Sequence, residues 1–178
     1  MRWSKLKQLA EGLLLEPLKG RIEYHCVIHR KSHDQTGTFR ITFDGMEIFR
    51  ASDIPYNIAA TKRGQELTEE RAIDPLNWDS DWQKMWESKE LKQLHAAYDD
   101  AEIEVKEQGI YPSSEIIGLL FDYIHMPFEN ALSHEHPFIR AIVLFDRRLG
   151  KRRWTNINVE TETDLVRKCY KLRNELNG

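Results

Sequence analysis

With 178 residues, 40% of them hydrophobic, the chain is long enough to bury a core without disulfides or metal. A net charge of −3, from 26 basic and 29 acidic residues, argues against general affinity for nucleic acid. The longest strongly apolar run, Ala141 to Phe145, falls far short of the roughly twenty residues that cross a bilayer.

The charge is uneven. Thirteen acidic and five basic residues lie between Glu66 and Glu107, whereas six basic residues and a single acid, Asp146, lie between Phe138 and Trp154. The opening segment from Met1 carries charges throughout and has no signal-peptide apolar stretch. Together with two widely separated cysteines in apolar surroundings, Cys26 and Cys169, this predicts a cytoplasmic setting with free thiols.

In chain order, Trp3, Leu6, Ala10, Leu13 and Leu14 recur at helical spacing and predict a helix over 3–15, stopped by Pro17 and Gly20. Residues 21–31 alternate with period two, placing Ile22, Tyr24, Cys26 and Ile28 inward. Residues 38–43 alternate again with Phe39, Ile41 and Phe43 inward, and Asp44-Gly45 closes a two-residue hairpin into 46–50. The polar link from Ser32 to Gly37 reads as the first hairpin loop.

Residues 1–51 are therefore expected to form a helix on a small three-stranded antiparallel sheet. Residues 52–75, with Pro55, Gly64 and Pro75 and no sustained period, read as a long surface loop with one helical turn near 66–72. Trp78, Trp82, Met85 and Trp86 then share the spacing of one face of a short helix, so 52–87 is a loop with a short helix.

From 88 to 178 the chain reads as helical. Ser88 to Gln108 ends at Gly109, Ser113 caps a run to His125, Pro127 opens a short helix to Ser133, and Pro137 starts an apolar helix to about Leu149. Thr161 to Asp164 matches a capping box before a last helix striped by Leu165, Cys169, Leu172 and Leu176. The fold class is α+β in a single domain.

Four groups of residues invite chemistry. His25, His29 and His33, beside Asp34, suggest a metal. At about 3.3 Å per residue, however, ring positions four apart on a strand lie roughly 13 Å apart, while zinc holds nitrogens at about 2.1 Å. His29, His33 and Asp34 could hold a base and its orienting carboxylate if the chain turns there; a solvated hairpin tip is the plainer reading. Glu104 and Lys106 fall on different helix faces and make no nuclease-like pair.

Arg147, Arg148, Lys151, Arg152 and Arg153 put five cations in seven residues, more than a helix C-terminus requires; they either pair within the chain, with the acidic middle segment, or bind phosphates or an acidic surface. Trp78, Asp79, Asp81, Trp82 and Trp86 are either core anchors or an acidic aromatic surface for a basic partner. No phosphate-binding glycine loop, paired-cysteine motif or nucleophile elbow is present in the sequence, and no cofactor or metal is implied.

Two segments carry a resemblance. They are Trp3-Ser4-Lys5-Leu6-Lys7 leading to Lys19-Gly20-Arg21-Ile22-Glu23 with His33-Asp34-Gln35, and Pro137-Phe138-Ile139-Arg140-Ala141 leading to Asp146-Arg147-Arg148-Leu149-Gly150-Lys151-Arg152. They are similar to an uncharacterised family of small bacterial proteins. The resemblance implies a bacterial cytoplasmic setting and carries no activity.

The functional expectation is a non-catalytic protein-binding protein, in its sharper form a bacterial immunity protein that binds and neutralises a cognate toxin domain. The alternative is nucleic-acid binding or processing through the basic cluster 147–153.

Overall fold

The computed structural model describes residues 1–29, 36–77 and 79–175. It contains two compact units, one formed by Met1–Ala51 with Ser113–Gly178 and the other by Ser52–Pro112.

The first unit opens with helix α1 (Trp3–Gly12), followed by strands β1 (Ile22–Ile28), β2 (Gly37–Phe43) and β3 (Met46–Ser52) in the order β1-β2-β3. The β1–β2 ladder is antiparallel and pairs Ile22 with Phe43, Tyr24 with Ile41 and Cys26 with Phe39. Asp44 and Gly45 both take positive φ, as a two-residue hairpin with the twist of its strands requires. Arg21 clamps the Asp44 carboxylate at 2.5 Å.

Alternation places Ile22, Tyr24, Phe39, Ile41 and Phe43 in the core as expected. Cys26 is half-buried and Ile28 is 46% exposed, because β1 runs past the packed part of the sheet. The link to Gly37 falls largely on residues 30–35, outside the described residues.

Helices α5 (Ser113–His125), α6 (Phe128–Leu132), α7 (Pro137–Ile142), α8 (Lys151–Trp154) and α9 (Asp164–Asn174) complete this unit. α7 is shorter than its apolar run. It gives way to a 3-10 turn at Val143–Phe145, and the chain swings out at Asp146. Phe138, Ile139 and Ala141 to Phe145 are all buried, so the run is central although it is not one continuous helix.

Phe138 meets Phe39 and Phe49 of the sheet at ring-centroid distances of 5.8 and 5.3 Å. At the start of α9, Thr163 is the N-cap but its side chain caps nothing. The expected capping box over Thr161–Asp164 does not form: the N-cap falls two residues after Thr161, and the Asp164 carboxylate is taken by Arg167 of the first turn. Glu162, between them, holds Arg140 through two bonds of 2.9 Å.

The second unit corrects the expected loop. Residues Asp53–Glu70 are an 18-residue helix, α2, antiparallel to α4 (Lys89–Glu107), and the short α3 (Trp82–Glu87) precedes α4. Pro55 is tolerated because it sits in the first turn, where no intrahelical donor is lost.

Gly64 is helical because it faces Tyr98 of α4. A Cβ there would lie 2.6 Å from the tyrosine ring, so the position needs glycine for close packing and not for a turn. Tyr56, Ala60, Leu67, Ala97, Ala101 and Val105 line the seam between the two helices.

Candidate interaction surface

The short helix α3 is organised by the two aspartates before it. Asp81 is its N-cap, accepting from the amides of Gln83 at 3.0 Å and Lys84 at 3.3 Å, and Asp79 accepts from the amide of Asp81 at 2.9 Å. The Asp81 amide, followed by nearby Lys84, holds the Asp79 carboxyl below its usual range. Both carboxylates therefore have a local structural role, and both residues remain exposed.

Met85 turns inward and is buried, while Trp82 is 63% and Trp86 57% exposed. This corrects the core-anchor reading for Trp82 and Trp86. The helix is fixed by Met85 and its cap, and both indoles, four residues apart, project to solvent on one side. Trp86 also touches the ring of His95 at 5.6 Å. Trp78 lies outside the described residues.

The charge around this surface follows from the sequence. Ser52–Pro112 holds fourteen acidic and seven basic residues, a net charge of −7, and the rest of the chain holds fifteen acidic and nineteen basic, a net charge of +4. Part of that acidity is neutralised locally. Arg63 bonds Glu104 at 2.6 Å and Glu70 at 2.8 Å and reaches Glu66 at 3.3 Å, and Arg71 pairs with Asp100 at 2.7 Å.

The basic cluster divides in the structure. Arg148 is bound to buried Asp146 at 2.6 Å and lies over the rings of Tyr123 and Phe128. Arg153 pairs with Glu129 at 2.5 Å and also covers Phe128. Arg147, Lys151 and Arg152 are exposed, and among the described residues their side chains make no ion pair. Two of the five cations are thus paired within the chain, with Asp146 and Glu129 and not with the acidic middle segment.

The histidine group resolves equally plainly. His25 Nε2 is 3.0 Å from Thr42 Oγ1 and 3.8 Å from Glu23, while His33 and Asp34 lie outside the described residues. Among the described residues, no set of three His, Cys, Asp or Glu side chains is arranged to hold a metal. Cys169 is buried and its thiol is pushed up to about 12 by burial, so it is an inert core group.

Two titratable groups escaped the sequence reading. Asp146 is buried and receives hydrogen bonds from the Tyr123 hydroxyl and from the amide and guanidinium of Arg148. His136 caps α7 and faces Glu115 at 3.4 Å. The second was legible from its place just before Pro137 at the start of an apolar helical run; the first had a local sign in Arg148, two residues on, but none of its burial against Tyr123, 23 residues away.

The architecture is that of an α+β protein: an N-terminal helix, a three-stranded antiparallel sheet, then several helices. The chain belongs to the SF0329 protein family, whose model matches residues 2–174. No curated protein and no solved structure matches it.

Proposed function

We propose that this is a non-catalytic protein-binding protein whose contact surface is α3 with its N-terminal flank. The observation that carries the reading is the pair of exposed indoles, Trp82 and Trp86, on a capped helix beside Asp79 and Asp81. Large aromatics are the side chains most enriched among residues that anchor protein interfaces, and leaving two of them in water is unfavourable unless a partner covers them. The net charge of −7 over Ser52–Pro112 favours a basic partner and speeds its encounter.

In its sharper form, the protein is a bacterial immunity protein and its partner a basic toxin domain in the cytoplasm. Small size and the charge of this surface support that form. The nucleic-acid reading keeps Arg147, Lys151 and Arg152 as phosphate contacts, with Arg148 and Arg153 committed to Asp146 and Glu129.

Affinity capture from the source organism, at low and moderate salt, tests the proposal. The parent protein should retain one stoichiometric basic protein, and Trp82→Ala with Trp86→Ala should lose it. Asp79→Asn with Asp81→Asn should slow association while keeping α3, since asparagine caps as well as aspartate. Retention of the same partner by both variants, or salt-sensitive nucleic acid in its place, would overturn the reading.

A further inference from the structure

His134 and His136 form an unusual pair of ring acceptors at the start of α7. The amide of His136 donates to His134 Nδ1 at 3.0 Å, and the amide of Phe138 donates to His136 Nδ1 at 3.1 Å. A backbone N–H can only donate, so each Nδ1 must carry a lone pair, and a neutral His136 must carry its proton on Nε2. That nitrogen faces Glu115 Oε1 of α5 at 3.4 Å.

We infer that the start of α7 is an acid-sensitive latch, closed by neutral His136 and opened when its Nδ1 is protonated. A proton on Nδ1 turns the helix cap from acceptor to donor, setting it against the Phe138 amide, which then loses its partner.

Among the described residues, the charged and titratable groups that act on the ring are Glu115 from α5, His134 in the preceding turn and Arg140 of α7. Arg140 in turn is tied to Glu162 and to the carbonyls of His134 and Glu135. Burial, the largest influence, holds the ring below its ordinary range; Arg140 and His134 act in the same direction, and Glu115 opposes them by favouring the protonated ring.

The sign of the pH effect follows. The unfolded chain takes up the proton near the ordinary histidine value of about 6.5 and the folded chain only at lower pH. The stabilisation is complete above that value and is lost as pH falls from it toward the folded value. The consequence reaches the core because Phe138, the residue whose amide is released, packs against Phe39 and Phe49. Arg140 keeps the carbonyls of His134 and Glu135 tied to α7, so what is lost on protonation is the cap itself.

The test is urea unfolding of the full chain at about pH 7.5 and about pH 5.5, with an NMR titration of the His136 ring. The parent midpoint should fall on acidification. In His136→Asn it should fall by less, because the asparagine oxygen accepts from the Phe138 amide at both pH values. The His136 ring in the parent should titrate below about 6.5. Parallel falls in parent and variant, or a ring titrating at or above the ordinary value, would overturn the inference. If the variant fails to fold, the ring titration of the parent decides.

Discussion

The two units solve the same packing problem with different side chains. In the first, large residues fill the interior: Phe39, Phe49 and Phe138 meet under the sheet, and Trp154 stacks on Tyr170 at 4.4 Å. In the second, α2 and α4 approach through Ala60, Gly64, Ala97 and Ala101, while the two described tryptophans stay outside.

Charge is handled differently as well, although both units carry exposed ion pairs. The first unit buries Asp146 and Arg173, whereas the second carries its ion pairs on the helix surfaces around Arg63 and Arg71. Exposed pairs of that kind contribute little to stability, and buried ones are costly to break. The first unit therefore concentrates its specificity inside, and the second presents its most distinctive residues to solvent.

The largest expected effect would break the interior side of this contrast. Arg173 is buried and donates to the carbonyls of Leu144, Asp146 and Leu149, and burial lowers its pKa. Beside it, Asp146 holds Arg148 and Tyr123, and the chain around it bonds the end of α1 through Leu15 to Phe145 and Arg147 to Leu13, each at 2.8 Å. Asp146→Ala strands that network, and a loss of about 3–5 kcal/mol is expected in urea unfolding. A loss below about 1 kcal/mol would mean that the network is ornamental to the fold.

The second unit should fail by a different route. Gly64→Ala gains helix propensity of about 1 kcal/mol but drives a methyl into the body of the Tyr98 ring, an overpacking cost of about 1–3 kcal/mol. The net expectation is modest destabilisation, relieved in Gly64→Ala combined with Tyr98→Ala. If the single substitution is stabilising, propensity outweighs the close approach and the seam is looser than its distances imply.

This contrast also explains what could be read from the sequence. Period-two alternation and Asp44-Gly45 located the sheet, and Ser88, Gly109, Ser113 and Pro127 located helix ends, because each of these signals is local. Residues 52–75 read as a loop because Pro55 and Gly64 are counted as breakers. One is harmless in a first turn and the other answers to Tyr98, 34 positions along the chain.

The candidate surface was legible as a set of residues, Asp79, Asp81, Trp82 and Trp86, but not as a surface. Spacing four suits an inward stripe as well as an outward one, and only Met85 taking the inward place decides between them. In the basic cluster the sequence shows five cations but not which of them are paired, since the partners of Arg148 and Arg153 include ring and carboxylate groups on α5 and α6.

The smallest expected effect on stability bears most directly on function. Trp82 and Trp86 are more than half exposed, and the one ring contact among the described residues is that of Trp86 with His95. Replacing both by alanine removes little buried area and improves helix propensity, so the urea midpoint should shift by no more than about 0.5 kcal/mol in equivalent stability. A core role would cost several times that, at about 3–5 kcal/mol per tryptophan. A stable double variant that has lost its partner separates recognition from folding in α3, whereas a strongly destabilised one would return both indoles to the core and leave the acidic flank without its anchors.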